Sequence, residues 1–146
     1  MTQAESDIAR ILGVDPHSGG SWVNASGVEW TEVSGTRVTA TLRAGPEHLT
    51  PWGVVHGGLY AMAAESVASV GASAAVRERG EFAVGIDNLT DFLRPSTGEV
   101  LSVVGEPVIQ GKSEQLWEVT IARADGKPVA RSRVRLRNVA LRETAR

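Results

Sequence analysis

Two hydrophobic periodicities alternate along the chain. Ile8, Ile11 and Leu12 fall at helical spacing and predict a short helix over Gln3–Leu12. His17 to Gly20 reads as a loop. Residues 27–44 predict a hairpin: Val28, Trp30 and Val33 precede Ser34-Gly35-Thr36, and Val38, Ala40 and Leu42 alternate after it. Pro46 and Pro51 punctuate a loop that ends at Gly53. From Gly57 to Val76 the pattern changes to GGLYAMAAESVASVGASAAV, an Ala/Ser-rich run without proline whose only charged residue is Glu65. A membrane span is a poor reading, because Ala, Ser and Gly are weakly apolar and a mid-span carboxylate is costly. A central helix buried nearly all round, with small side chains that let a sheet approach closely, fits better.

Four strand-like runs follow at 82–93, 99–109, 114–124 and 128–139, separated by Pro95–Gly98, Gly111 and Ala124–Gly126. Helix, two strands, long helix and four strands predict an α+β domain with six antiparallel strands around one buried helix. Residues 1–146 read as a single domain, without repeat, low-complexity tract or linker.

Composition narrows the chemistry. The absence of cysteine excludes disulfides, thiolate catalysis and zinc–thiolate sites. A formal net charge of -2 argues against a general nucleic-acid binder. The N-terminus lacks a basic stretch followed by a long apolar core, so no secretory signal is read and a cytoplasmic protein is expected. Asn24-Ala25-Ser26 and Asn88-Leu89-Thr90 match the glycosylation tripeptide, a short pattern frequent by chance. His17 and His48 have no partners at metal-ligand spacing, no Ser lies in a G-x-S-x-G elbow, and the common nucleotide-binding motifs are missing.

The sharpest constellation is Val55-His56-Gly57-Gly58 opening the helix, with Glu65 inside it. Two glycines at a helix start remove the Cβ atoms that would keep a ligand from the unpaired N–H groups there. Those donors, aided by the helix dipole, can hold a developing oxyanion; the plainer alternative is a tight turn and close packing. Glu65, set among apolar residues, needs a partner or a cleft, and suits a general base or nucleophile towards an acyl group. The alternative is a structural carboxylate that caps a neighbouring backbone or pairs with a buried Arg. His56 is favoured as the residue that fixes the turn over a catalytic base. Eight helical residues separate Gly57 from Glu65 by about 12 Å along the axis with about 80° of net rotation. One chain does not easily place both groups on one carbonyl, so a shared mechanism predicts at least a homodimer with two composite sites.

Trp52-Gly53-Val54-Val55-His56-Gly57-Gly58, followed by Ala64-Glu65-Ser66, resembles the signature of hotdog-fold acyl-CoA thioesterases, most nearly the Arthrobacter-type 4-hydroxybenzoyl-CoA thioesterases. Asn88-Leu89-Thr90-Asp91-Phe92-Leu93-Arg94-Pro95 and Gly111-Lys112-Ser113-Glu114-Gln115-Leu116-Trp117 agree with later runs of that family, and the likeness spans about residues 27–139. The resemblance implies a long helix wrapped by an antiparallel sheet, with dimers and commonly homotetramers that hold active sites between subunits. It implies that the Gly57 N–H polarises the thioester carbonyl, that Glu65 is nucleophile or general base, and that Ser69 orients the water or Glu65. By matching position Arg94, Lys112, Ser113 and Arg142 would line the path of the CoA phosphates. The sequence departs from the family at Thr50, where relatives often carry Asn or Gln six residues before the His; threonine is shorter and has no amide donor.

The expected reaction is hydrolysis of an aromatic or medium-sized acyl-CoA to acid and CoA, needing no cofactor, metal, nucleic acid or membrane. The alternative is a non-catalytic acyl-CoA-binding or regulatory hotdog module, since fold alone does not establish catalysis. A hotdog hydratase is disfavoured, because no His lies within the helix to pair with an acid.

Overall fold

The structure is a computed structural model that describes residues 1–142. Helix α1 (Gln3–Leu12) is fixed at its start by a capping box, in which Thr2 Oγ1 accepts from Glu5 N–H and the Glu5 carboxylate accepts from Thr2 N–H. It stops at Gly13, whose left-handed backbone (φ 68°) lets its N–H close on Ala9 O. A four-residue helix α2 (Ser21–Asn24), not anticipated from the pattern, follows. Strands β1 (Val28–Val33) and β2 (Val38–Arg43) form the expected hairpin, and α3 (Gly57–Val76) is the long helix. Strands β3 (Glu81–Phe92), β4 (Val100–Gln110), β5 (Glu114–Ala122) and β6 (Pro128–Ala140) complete an antiparallel sheet in the order β1-β2-β4-β5-β6-β3.

The sheet curls around α3, which touches all six strands and β3 most extensively. Burial on α3 follows one broad stripe through Leu59, Ala63, Val67 and Ala72 rather than the whole circumference. Ala61, Met62, Glu65, Ser66 and Ser69 are half-exposed, a departure from the expectation of burial nearly all round. Length and composition alone would let Gly57–Arg79 cross a membrane, but half of it is buried inside this fold.

Glycine makes the close approach of helix and sheet possible from both sides. A Cβ on Gly71 would stand 2.3 Å from the fully buried ring of Trp117 on β5. One on Gly105 of β4 would stand 2.5 Å from Val67. On β6, Ala130, Ser132, Val134 and Leu136 point inward, while Arg131, Arg133, Arg135 and Arg137 line the outer face. Arg135 pairs there with Asp87 at 2.6 Å and Arg137 with Glu114 at 3.0 Å.

Two features of β3 bear on function. Its only neighbour among the described residues is β6, so its outer edge is open, and Val84, Ile86, Leu89 and Phe92 are exposed along it. Its register on β6 also slips between Gly85 and Asp87, leaving Ile86 as the extra residue of a bulge. Ala83 and Gly85 therefore share the inner face with Asn88, Thr90 and Phe92, and Asp87 turns outward to Arg135.

Candidate active site

The chain entering α3 is tied down at three points. Leu49 and Val55 form an isolated bridge, His56 N–H donates to His48 O (2.9 Å), and Val55 N–H donates to Ser96 O (2.8 Å). The 95–99 segment is itself anchored by Glu99, which accepts from Thr97 N–H and Ser96 Oγ (both 2.8 Å) and pairs with Arg123 at 3.2 Å. The Thr97 N–H chiefly, with other donors, holds the Glu99 carboxyl below its ordinary value.

His56 is the N-cap of α3. Its Nδ1 accepts from Gly58 N–H at 2.9 Å, so the proton of the neutral ring sits on Nε2. Leu59 N–H is taken by His56 O (3.0 Å). Gly57 N–H has no acceptor among the described residues, which leaves it a free donor at the positive end of the helix dipole. The ring of Phe92 lies over this glycine, since a Cβ on Gly57 would stand 2.7 Å from Phe92 Cζ. A cleft of about 360 Å³ opens here, lined by His56, Gly57, Gly58, Tyr60, Phe92 and Arg94 among others. Arg94 is held at its rim by a 2.7 Å bond to Pro128 O. Tyr60 forms the floor; burial pushes its phenol up, so it stays a neutral phenol, and the nearby Ser96 hydroxyl is committed to Glu99.

Glu65 lies two turns further along α3, outside that cleft, and its partner comes from the sheet. Asn88 Nδ2 donates to Glu65 Oε2 and to Ala61 O, each at 3.0 Å. A Cβ on Gly85 would stand 2.2 Å from Glu65 Oε1, so the glycine at the bulge makes room for the carboxylate. Ser69 sits one turn beyond Glu65 and is half-buried. Thr50 Oγ1 is buried without a hydrogen-bond partner among the described residues.

The predicted site residues thus separate into three places within one chain. Gly57, His56 and Arg94 share the cleft, while Glu65 meets the middle of β3 and Ser69 follows it one turn along the helix. Lys112, Ser113 and Arg142 lie at the far end of α3, where Arg79 donates to Lys112 O (2.7 Å), Asn138 N–H to Ser113 O (2.8 Å) and Leu141 N–H to Gly80 O (2.9 Å). Asn88, Thr90 and Gly85 are the residues that sequence reasoning missed. Strict alternation through 83 and 85 points Asp87 inward and Asn88 outward, and the bulge that reverses this carries no pattern of its own. The same geometry disposes of Asn88-Leu89-Thr90 as a glycosylation tripeptide, because both amide protons of Asn88 are engaged inside the fold.

Comparison with known proteins agrees with this architecture. Residues 53–130 match the family model of the thioesterase superfamily. A Mycobacterium tuberculosis protein described as a candidate esterase is 39% identical over 118 residues, covering 80% of this chain and 84% of that one. The 1,4-dihydroxy-2-naphthoyl-CoA thioesterase 2 of Arabidopsis thaliana is 36% identical over 99 residues, 67% of this chain and 62% of that one. A solved thioesterase from Haemophilus influenzae superposes with a TM-score of 0.82 at 25% identity, covering 100% of this chain and 97% of that one. With its long helix wrapped by a six-stranded antiparallel sheet and its matched signature region, the chain belongs to the thioesterase superfamily and is a hotdog-fold thioester hydrolase.

Proposed function

We propose that the protein hydrolyses an aromatic or medium-sized acyl-CoA to the free acid and CoA, with Glu65 as its catalytic carboxylate. The observation that carries this reading is a lone carboxylate on an otherwise uncharged helix, set beside a hydrogen-bond donor and given room by a glycine, in a fold whose helix start holds a free N–H. Gly57 N–H polarises the thioester carbonyl and holds the oxyanion as the carbon becomes tetrahedral. Two routes begin at Glu65. Either it takes a proton from water, which attacks the carbonyl carbon, or it attacks that carbon itself, giving a mixed anhydride that water then opens. In both, the C–S bond breaks and the CoA thiolate leaves to be protonated. The aryl-CoA activity named for the Arabidopsis relative supports an aromatic acyl group.

The site is completed by a second copy. Ala61 stands midway between Gly57 and Glu65 on α3, and Asn88 of the open-edged strand bonds to it. Antiparallel pairing of two β3 edges about a two-fold axis at that level sets Gly57 of one subunit beside Glu65 of the partner subunit. It also brings the Phe92 end of one β3 next to the Glu81 end of the other. Arg94 then shares one end of the dimer with Lys112, Ser113 and Arg142 of the partner subunit, and the four can meet one CoA nucleotide. This dimer is the minimum unit, and two such dimers would make a homotetramer.

One observation favours the alternative of an acyl-CoA-binding module: the unpartnered Thr50 hydroxyl stands where relatives carry an amide. A thiol-release assay over aryl, short and long acyl-CoAs separates the two. Turnover that falls by about 10³-fold or more in a folded Glu65→Gln variant supports the hydrolase. CoA-ester binding with no release from any ester supports the module. Full activity in Glu65→Gln removes the chemistry from this residue.

A further inference from the structure

The Glu65 carboxylate ends a chain of hydrogen bonds that begins inside the sheet. Both Nδ2 protons of Asn88 are spent, one on Ala61 O and one on Glu65 Oε2. Asn88 Oδ1 accepts from Thr90 Oγ1 at 2.7 Å, and Thr90 Oγ1 lies 2.8 Å from Ser132 Oγ. Thr90 has a single hydroxyl proton, committed to Asn88, so Ser132 donates to Thr90. Ser132 is only 1% exposed, which keeps water from competing at the root of the chain.

This chain fixes which way the amide faces. Ala61 O is a backbone carbonyl and can only accept, so turning the amide over would set Asn88 Oδ1 against that carbonyl and the Glu65 carboxylate together. Asn88 therefore always presents N–H to Glu65 Oε2. One carboxylate oxygen is occupied by a donor and fixed in direction. The other, Oε1, has no hydrogen-bond partner among the described residues and lies over Gly85, where any side chain would meet it.

Taking Glu65 as the catalytic carboxylate, we propose that Asn88 is its positioning residue: Asn88 holds Oε2 and leaves Oε1, over Gly85, as the oxygen that reacts. The bulge at Ile86 is the backbone device behind this arrangement, because it brings Gly85 and Asn88 to the inner face together. Thr90 and Ser132 act one step further back, on the amide alone.

The test is steady-state kinetics and thermal melting of full-length Asn88→Leu, Gly85→Ala, Glu65→Gln and the Asn88→Leu/Glu65→Gln double variant. Leucine keeps the branched outline of Asn88 without its donors and acceptor, and Thr90 can turn its proton to Ser132. The expected result is a kcat about 10- to 100-fold lower in Asn88→Leu, with KM within about twofold of wild type, as for a carboxylate displaced by a fraction of an ångström to an ångström. In Gly85→Ala the new Cβ meets the mobile end of the Glu65 side chain, so kcat falls while the melting temperature stays near wild type. The residual rate of Glu65→Gln is not lowered further by Asn88→Leu, because Asn88 acts only through the carboxylate. A kcat within twofold of wild type in Asn88→Leu overturns the inference, as does an equal loss in the Glu65→Gln background. Should Asn88→Leu fail to fold, full kcat in folded Gly85→Ala overturns it. Full activity in Glu65→Gln strikes instead at the functional reading on which this one rests.

Discussion

Gly71→Ala tests how tightly the helix is seated on the sheet. In an open helix the change would stabilise by about 1 kcal/mol, because alanine is the better helix former. Here the new Cβ would stand 2.3 Å and 2.6 Å from Trp117 Cη2 and Cζ3 and 2.9 Å from Val38 Cγ2, where carbon atoms ordinarily keep about 3.5 Å. The indole has nowhere to retreat. Trp117 is fully buried, its Nε1 donates to Gln115 Oε1 (3.0 Å), and Gln115 is anchored to Ala72 O (2.9 Å) and Asn138 Oδ1 (2.8 Å). Overpacking of this kind costs about 1–3 kcal/mol, and a stretched indole bond adds about 1 kcal/mol. Against the propensity gain, the net is a destabilisation of about 2 kcal/mol, or a melting temperature lower by about 6 °C for a domain of this size. Thermal unfolding followed by circular dichroism measures it. Repeating the change in a Trp117→Phe background, which removes the crowded ring atoms, should recover most of the loss. A melting point equal to or above wild type in Gly71→Ala alone would refute the argument, since helix propensity would then have outweighed packing.

Two further outcomes follow from the site. If Gly57 and Glu65 act from different subunits, co-refolding Gly57→Val with Glu65→Gln, each inactive alone, restores about a quarter of wild-type turnover, since half of the dimers are mixed and each of those has one intact site. No recovery on mixing places both groups in one chain. Glu99, whose carboxyl is held low chiefly by the Thr97 N–H, stabilises the folded state when ionised. Its contribution is present above the unfolded carboxylate value and lost as pH falls through the lower folded one. Glu99→Gln should therefore lower the melting temperature at pH 7, and the difference from wild type should close as pH falls below the ordinary carboxylate range.

The fold was legible because its large elements are strongly periodic. The Ala/Ser-rich run sets both ends of α3 as expected, and proline- and glycine-bounded runs give the strands to within a residue or two at nearly every end. The helix Ser21–Asn24 was missed, being a single turn with no apolar face to mark it. Glu65 and Gly57 stood out for opposite reasons, one as a charge where charge is costly, the other as a missing side chain. Asn88 gave no such signal. Its orientation depends on one extra residue in β3, and a polar side chain in a strand is ordinary until its neighbours are known. The cationic residues were nameable only by position, and within one chain Arg94 lies apart from Lys112, Ser113 and Arg142 because β3 and β6 run the length of the helix between them.

The strand order has a consequence for how the chain is made. Among the described residues β3 pairs only with β6, the last of the six strands in chain order, so its backbone donors and acceptors stay open on both edges while β4 and β5 emerge. About 50 residues separate the end of one from the end of the other, which at ordinary translation rates is roughly 2–10 s. During that interval α3 can cover the inner face of β3, but none of the described strands already made pairs with its edges. An apolar ribbon with exposed Val84, Ile86 and Leu89 is then available to any strand from a neighbouring ribosome. Yield in a cell should accordingly depend on the pace of translation between residues 93 and 140 and on the supply of holding chaperones, more than on the final stability of the domain.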